Sequence, residues 1–180
     1  MVGVAKPQFS PPRPIRPNDG IRDFACGYSD LDDWLRINAL KSEGKTARAY
    51  VVCDGSQVVA YYCLATGGVG RDLAPGKVRR NAPNPVPVVV IGRLAVTRTH
   101  QQRGLGEAML RDAIRRALTA SEIVGCAAIL VHAIDDPAAA FYERHGFMRF
   151  PIEARTLFLP LDTLRASLQA PLPTPSPRRR

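Results

Sequence analysis

The chain has 180 residues, of which 46% are hydrophobic and 23% charged, a composition typical of a globular domain with its own core. No apolar run approaches the roughly 18 residues that span a bilayer, and the stretch from Met1 to Pro17 lacks the apolar region of a secretory signal, so no membrane contact is expected. The net charge of +9 favours an anionic partner, with nucleic acid as the first candidate; a basic surface that aids solubility, or that attracts a phosphate-rich cofactor, explains it equally well.

The cysteine pattern indicates a reducing compartment. The four cysteines, Cys26, Cys53, Cys63 and Cys126, include no CxxC pair, and the last three lie inside apolar stretches. Buried free thiols in the cytoplasm are therefore predicted, rather than disulfides. The three scattered histidines lack the ligand spacing of a zinc site, so no metal is predicted.

The first predicted elements are a disordered tail and a helix. Residues 1–14 are rich in Pro and Arg and are predicted to be disordered. A helix is predicted over residues 30–41, with Ser29 or Asp30 as its N-cap. Its apolar face is predicted to carry Leu31, Trp34, Leu35 and Asn38.

The middle of the chain is predicted to form strands. Residues 50–53 and 58–64 flank an Asp-Gly pair, which indicates a hairpin turn. A loop with four prolines follows the second strand. Residues 88–96 are apolar at consecutive positions, which indicates a strand covered on both faces. Gly92 within that strand suggests a bulge or a close backbone approach.

The second half of the chain alternates helices and strands. The predicted elements are a helix over 104–120, a strand over 127–133, a helix over 137–144, a strand over 156–161 and a short helix to about 168. Residues 169–180 are predicted to form a disordered Pro/Arg tail. The order of elements indicates an α/β domain over residues 15–168, with a mixed central β-sheet flanked by helices.

The loop Gln101-Gln102-Arg103-Gly104-Leu105-Gly106 lies between the long strand and the helix that follows it. A helix N-terminus offers unpaired backbone N–H groups to a phosphate. Two glycines let a pyrophosphate approach the backbone, and Arg103 can add a charged donor. An ordinary strand–turn–helix junction explains a bare QxxGxG motif about as well. The spacing does not fit a dinucleotide-binding unit, and the GK[ST] of a P-loop is missing.

Three segments occur in an order and spacing that resembles the GNAT N-acetyltransferase superfamily. They are the strand 94–96, the QxxGxG loop 101–106 and the stretch 140–147. Further segments are similar to the GNAT toxins of bacterial type II toxin–antitoxin systems, namely 24–27 ahead of 31–35, 49–52 with 59–62, and 91–96. The resemblance covers roughly residues 15–168.

This resemblance implies a GNAT acyl-CoA N-acyltransferase fold, with acetyl-CoA as cosubstrate. A bulge in the strand 90–96 would part it from the next strand and admit the pantetheine arm, where one backbone N–H would polarise the thioester carbonyl. Backbone groups of the following loop would hold the pyrophosphate. The residues assigned to the cofactor are Leu94, Ala95, Val96, Gln102, Arg103, Gly104, Leu105, Gly106, Glu107 and Asp135.

The resemblance also makes Tyr142 the catalytic residue. After the amine attacks, a thiolate must leave, and a positioned phenol can protonate it. Phe141 is expected in the core instead, because adjacent helical residues point in different directions. Phe147 is expected in the core as well.

No side chain stands out as a general base. Glu107 lies at the start of the loop helix, where a carboxylate is expected to cap it. Asp135 and Asp136 precede the next helix, with capping as the expected role and a cofactor contact as the alternative. His132 and His145 are expected to be structural. The amine of an aminoacyl ester has a lowered pKa and needs little help from a base.

The acceptor implied by the resemblance is the α-amine of the amino acid on a charged tRNA, whose acetylation blocks translation. Arg93 beside the bulge could meet the tRNA or face solvent. A second basic group, Lys41, Lys45 and Arg48, allows the same two interpretations. The implied partners are a small antitoxin with a ribbon-helix-helix DNA-binding part and a second copy in a homodimer.

Two other functions stay open. A GNAT enzyme acting on a small amine or a protein N-terminus would usually place acidic groups near its acceptor, and the basic balance weighs mildly against it. A catalytically silent acetyl-CoA-binding or RNA-binding module would not need to keep Tyr142 and the intact loop. The sequence does not determine which aminoacyl-tRNA is used, because such specificity lies in the shape of the pocket.

Overall fold

A mixed sheet forms the centre of the molecule. The computed structural model of the chain describes residues 9–169. Within them, the strands are β1 (Arg13–Pro14), β2 (Arg48–Asp54), β3 (Gln57–Val69), β4 (Val86–Val96), β5 (Ala128–His132), β6 (Met148–Arg149) and β7 (Thr156–Pro160). Their order across the sheet is β1-β2-β3-β4-β5-β7-β6. The pair β4 and β5 is parallel, and the other described pairs are antiparallel.

Helices cover both faces of this sheet. They are α1 (Ser29–Asp33), α2 (Ala39–Ser42), α3 (Gly76–Arg79), α4 (Leu105–Ile123), α5 (Asp136–Arg144) and α6 (Leu161–Gln169). A π-helical stretch, Trp34–Asn38, joins α1 to α2. The predicted α/β class, with a mixed sheet flanked by helices, is confirmed.

The helical segment 29–42 has the predicted position but an irregular turn. The π-helical stretch widens one turn, and this shifts the buried stripe along the segment. Trp34 and Leu35 are buried as predicted, but the next buried residue is Ala39, and Asn38 is exposed. The prediction for Asn38 is wrong because it assumed a regular helical period.

The N-terminus of this helical segment is not capped as predicted. Its N-cap is Tyr28, which makes no side-chain cap hydrogen bond, so neither Ser29 nor Asp30 caps the helix. Instead the carboxylate of Asp32 accepts a hydrogen bond at 2.9 Å from the backbone N–H of Cys26. The carboxylate of the first turn thus holds the chain that leads into α1.

The two faces of the sheet bury separate cores. On the face that we call the α4 face, α4, α5 and α6 cover side chains that include Tyr62 and Ile91. On the opposite face, the α1 face, the segment 29–42 covers Tyr61, and α3 covers Val88. Because β4 contributes to both cores, its residues are apolar at consecutive positions, as predicted.

A bulge interrupts β4 at Gly92, as predicted. On β3, Cys63 pairs with Arg93 and Leu64 pairs with Ile91, so Gly92 is the extra residue. A Cβ atom on Gly92 would lie 3.0 Å from the sulfur of Cys63, so the close approach favours glycine. The parallel pairing with β5 ends at Ile91. The two strands therefore part beyond the bulge.

Part of the predicted N-terminal tail is ordered. Residues 9–14 lie against the sheet, where Arg13–Pro14 pairs antiparallel with β2. Disorder is the wrong prediction for these residues, because the edge of β2 offers backbone groups that the tail can bind. Gln169, placed in the C-terminal tail, is the last residue of α6. The rest of the two predicted tails, 1–8 and 170–180, lies outside the described residues.

The cysteines are free thiols, as predicted. Cys26, Cys53 and Cys63 are buried, whereas Cys126 is only half-buried. Burial raises the pKa of Cys26 to about 11. In the part of the chain that the structure describes, no helix is both long and apolar enough to cross a membrane, and no three metal-binding side chains form a cluster.

Candidate active site

The parting of β4 and β5 opens a slot in the sheet. Its outer part is a cleft of about 540 Å³, and its inner part is a cavity of about 50 Å³ at the bulge. Leu94, Ala95 and Val96 line the cleft from β4, and Ala138 lines it from α5. Leu94, Ala138 and Tyr142 border both parts. The two parts therefore adjoin one another, between the loop after β4 and the bulge.

The loop 101–106 presents unused backbone donors at the outer end of the slot. Gly104, the N-cap of α4, has a φ of +79°, a left-handed conformation that glycine adopts without strain. Within residues 9–169, no side chain caps α4, and no hydrogen bond uses the backbone N–H of Leu105, Gly106 or Glu107. These donors and the positive end of the helix dipole suit a phosphate group.

Gln101 holds this loop in place. Its side-chain amide donates hydrogen bonds to the carbonyl oxygens of Cys26 and Val96, both at 2.9 Å. The two bonds tie the loop to the end of β4 and to the segment before α1. The motif alone assigns Gln101 no contact, and the structure gives it this anchoring role.

The other side chains of the loop occupy different positions. Leu105 is buried in the core on the α4 face, so only its backbone can reach a ligand. Glu107 forms an ion pair with Arg111 on the outside of α4. The predicted cap by Glu107 is wrong, because a carboxylate in the first turn meets the cation four residues on. Gln102 lines the cleft, and Arg103 is exposed.

Tyr142 stands where the cleft meets the inner cavity. Its side chain is only 7% exposed, and its hydroxyl is not part of any hydrogen bond described within residues 9–169. In the same residues, no fully buried side-chain polar atom lacks a partner, so the hydroxyl reaches the open slot. Burial raises the pKa of Tyr142 above the ordinary phenol value. The hydroxyl therefore keeps its proton at neutral pH and can donate it.

The aromatic neighbours of Tyr142 divide between core and cleft. Phe147 is buried, as predicted, and packs edge-on against Tyr142. Phe141 is half-buried: it packs against the core on the α4 face, as expected, and it also lines the cleft. It reaches the cleft because it follows Ala138 by three residues and shares its face. The Nδ1 of His145 donates a hydrogen bond at 2.8 Å to the carbonyl oxygen of Phe141, the structural role expected for it.

Asp135 joins the two sides of the cleft mouth. It caps α5, as predicted, by accepting a hydrogen bond from the backbone N–H of Ala138 at 2.8 Å. Its carboxylate also accepts a hydrogen bond from the hydroxyl of Tyr28, just before α1. This bond from Tyr28 lowers the pKa of Asp135. Asp136 instead pairs with Arg155 at 3.3 Å.

Arg93 and His132 flank the inner end of the slot on the α1 face. The guanidinium of Arg93 lies 4.8 Å from the ring centre of Trp34 and borders the inner cavity. His132 borders the same cavity from β5. Because side chains alternate along a strand and Val131 is buried on the α4 face, His132 points to the α1 face.

The second predicted basic group lies elsewhere. Lys45 and Arg48 line a separate groove of about 310 Å³ together with Arg116 of α4. Lys41 is exposed on α2. The groove that Lys45 and Arg48 line therefore opens beside α4, and these two residues do not share a surface with Arg93.

A further basic region, which sequence analysis missed, lies on the α1 face. We call residues 70–82 the basic loop. Ala74 and Val78 anchor it in the core, and its exposed cations are Arg71, Lys77, Arg79 and Arg80. No ion pair within residues 9–169 involves any of these four. The sequence does carry a signal for this loop. It has four cations within ten residues, and its two buried residues, Ala74 and Val78, are four positions apart.

Comparison with known proteins identifies the class of this fold and site. A profile of the acetyltransferase (GNAT) family matches residues 17–147, and the chain belongs to this family. Over 159 residues it is 45% identical to a tRNA-acetylating toxin of Mycobacterium tuberculosis. That alignment covers 88% of this chain and 96% of the relative.

Solved structures with the same fold agree with this assignment. The structure of AtaT complexed with acetyl-methionyl-tRNAfMet matches with a TM-score of 0.80 and 25% identity, covering 89% of this chain and 99% of that one. A structure of AtaTR bound with AcCoA matches with a TM-score of 0.77 and 26% identity, covering 89% and 98% of the two chains. The predicted GNAT fold is confirmed.

Proposed function

We propose that this chain transfers the acetyl group of acetyl-CoA to the α-amine of the amino acid on a charged tRNA, and so blocks translation. The observation that carries the proposal is the slot itself. It begins at the loop 101–106, whose backbone donors are unused, and it ends at the bulge at Gly92, where the hydroxyl of Tyr142 has no hydrogen-bond partner within residues 9–169. An acyl donor with a pyrophosphate at one end and a thioester at the other spans the same two points. The 45% identity to a tRNA-acetylating toxin supports tRNA as the acceptor.

The residues around the slot fit acetyl-CoA. The backbone N–H groups of residues 102–107 would bind the pyrophosphate, with Arg103 as an added cation. Beyond the bulge, the edge of β4 is no longer paired with β5, so the backbones of Leu94 and Val96 would bind the pantetheine arm. Ala95 and Asp135 would complete the cleft around it.

Tyr142 supplies the proton that the reaction requires. When the amine attacks the carbonyl carbon, the sulfur leaves with the electron pair of the C–S bond. A phenol that keeps its proton near neutral pH can then protonate the thiolate. A catalytically silent binding module would have no use for a buried tyrosine whose hydroxyl opens into the slot, and this weighs against that alternative.

The α1 face is the side proposed for the tRNA. Arg93 borders the inner cavity there, and the basic loop lies on the same face. The basic loop shares a core cluster with Val86, the first residue of β4, which lies about 20 Å from Gly92, from six residues at about 3.3 Å each. The loop 101–106 follows the opposite end of β4. The unpaired cations of the basic loop are thus placed for an extended polyanion that reaches into the slot, rather than for the cofactor.

The same lining weighs against a small cationic amine as acceptor. Among residues 9–169, Asp135 is the carboxylate that lines the cleft, and no carboxylate lines the inner cavity. Asp135 already accepts hydrogen bonds from Tyr28 and Ala138. A polyamine or a basic peptide would therefore find no free acidic partner in the slot.

The proposal extends to partners and location. A cytoplasmic homodimer, neutralised by a small antitoxin with a ribbon-helix-helix DNA-binding part, follows from the similarity to the GNAT toxins. A short reading frame upstream of the gene, whose product co-purifies with this chain and restores growth, would support the antitoxin. Analytical ultracentrifugation of the purified chain decides between monomer and dimer.

A cell-free translation reaction tests the proposed function. Adding the protein with acetyl-CoA should stop protein synthesis, and fresh charged tRNA added after removal of the protein should restore it. Desacetyl-CoA in place of acetyl-CoA is the matched control and should leave synthesis unchanged. Inhibition that does not depend on the acetyl group would contradict the proposal.

A further inference from the structure

We infer that His132 is the general base that takes the proton from the attacking amine, an inference that rests on the proposed function. His132 borders the inner cavity at the bulge together with Arg93 and Tyr142. Its side chain lies on the α1 face, the side from which the acceptor arrives in the proposed reaction. Tyr142 reaches the same cavity from the α4 face. The proposed base and the proposed acid thus border the cavity from opposite faces of the sheet.

The hydrogen bonds of His132 set its neutral tautomer. Its Nδ1 lies 3.0 Å from the Oγ1 of Thr156 on β7, the residue paired with it across the strands. That Oγ1 lies 2.6 Å from the carboxylate of Glu153, which can only accept. A hydroxyl carries one hydrogen, and Thr156 donates it to Glu153. The Nδ1 of His132 must therefore donate to Thr156, which leaves the lone pair on Nε2.

This arrangement gives His132 two properties of a general base, a fixed ring and a free lone pair on Nε2. Glu153 and Thr156 hold the ring in one orientation and tautomer, as a third group does in other acid–base constellations. The other histidines among residues 9–169 do not border the inner cavity. His100 lies 3.2 Å from Asp54, outside the slot.

The proton transfers balance over one turnover. The amine nitrogen bonds to the carbonyl carbon and gives one proton to the Nε2 of His132. The C–S bond breaks, the sulfur leaves with its electron pair, and Tyr142 donates its proton to that sulfur. The proton on His132 then passes through solvent to the oxygen of Tyr142. The products are the N-acetylated aminoacyl-tRNA and the free thiol, and both side chains regain their starting states.

Single-turnover acetyl transfer to charged tRNA tests this role. The substitutions His132→Ala and His132→Gln should slow the transfer about 100-fold, the usual contribution of a positioned base. Acetyl-CoA binding should be unchanged, because His132 lies at the inner end of the slot. Added imidazole should restore part of the rate to His132→Ala, which the loss of a merely structural residue would not allow. His100→Gln is the matched control and should keep the wild-type rate.

Thr156 is a positioning residue in this account. Thr156→Ser keeps the hydroxyl and should keep the rate, whereas Thr156→Val removes the acceptor for Nδ1 and should slow the transfer. Long-range nitrogen–proton NMR of the neutral imidazole reads the tautomer directly. The expected result is a proton on Nδ1 in the wild type and a mixture of tautomers in Thr156→Val.

The outcomes separate the inference from the proposed function. A His132→Ala rate within about twofold of the wild type, or a wild-type proton on Nε2, overturns the inference and leaves the function standing. Loss of acetyl-CoA binding in His132→Ala makes the residue structural and overturns the inference too. A wild-type protein that acetylates no charged tRNA overturns the proposed function, and the inference with it.

Discussion

The two ends of the slot, which we propose for the cofactor and for the acceptor, offer different kinds of polar group. At the cofactor end, the donors are backbone N–H groups that Gly104 and Gln101 hold in place. At the acceptor end, on the α1 face, the polar groups are side chains, namely Arg93, His132 and the cations of the basic loop. Backbone donors cannot be removed by a side-chain substitution, whereas the acceptor end can be changed one charge at a time. Substitutions at the cofactor end should therefore change the affinity for acetyl-CoA, and substitutions at the acceptor end should change the affinity for tRNA.

The largest expected effect belongs to Tyr142, the proposed proton donor, which borders both parts of the slot. Tyr142→Phe should lower the rate of acetyl transfer by about 100-fold or more, because it removes the proton donor for the thiolate. Acetyl-CoA binding, measured by calorimetry, should stay near normal. Tyr50→Phe, which alters a half-buried tyrosine outside the slot, is the matched control. Full activity of Tyr142→Phe would remove this residue from the mechanism.

A second effect should be confined to the acceptor end. The double substitution Arg79→Glu, Arg80→Glu should weaken tRNA binding by more than about tenfold, and each lost phosphate contact should lower the salt slope by about one. Acetyl-CoA binding should not change. Filter binding over a range of salt concentrations measures the affinity for tRNA and its salt slope. A larger loss from Lys41→Glu, Lys45→Glu would place the tRNA on the segment 41–48 instead of the α1 face.

The cofactor end should respond to the backbone of Gly104. Gly104→Ala forces a side chain into a left-handed conformation, which costs about 1–2 kcal/mol, so acetyl-CoA binding should weaken about tenfold as the loop shifts. The affinity for tRNA should stay the same. Gly125→Ala is the control, because a Cβ atom there has open space and its φ is not left-handed. Equal affinities for acetyl-CoA in the two variants would show that the loop does not depend on this conformation.

The smallest effect concerns the support of α4 behind the cofactor end. Asp112 accepts hydrogen bonds from Tyr62 at 2.5 Å and from Arg116 at 2.8 Å. Burial alone would raise the pKa of Asp112, but these bonds outweigh it and hold the pKa below its ordinary value. Asp112→Asn should lower the free energy of unfolding by about 1 kcal/mol at neutral pH.

The pH dependence of this difference follows from the direction of the shift. A carboxyl with a lowered pKa in the folded state stabilises the protein above its unfolded pKa, and the stabilisation is lost as the pH falls through the folded pKa. The difference between wild type and Asp112→Asn should therefore shrink in acid. Urea unfolding at neutral and acidic pH measures it, and a difference that stays constant would point to packing instead.

The sequence indicated the loop at the outer end of the slot more clearly than the side chains on the α1 face, for a physical reason. A phosphate-binding backbone requires glycines at fixed spacing after a strand, so Gly104 and Gly106 form a readable motif. The acceptor end depends on where a bulge and a loop place side chains. The four cations of the basic loop are far from the motif in sequence, and the roles of His132 and Thr156 depend on cross-strand pairing. The exposed position of Asn38 depends on a π-helical turn that a periodic pattern does not reveal.

The most direct test of the central claim is the transfer of labelled acetyl from acetyl-CoA to bulk charged tRNA. The labelled tRNA is digested, and the modified amino acid is identified by mass spectrometry. The account predicts label on the α-amine of one or a few amino acids, and none when Tyr142 is replaced by Phe. Label on no tRNA, or label that survives removal of the aminoacyl group, would contradict the proposed function while leaving the GNAT fold intact.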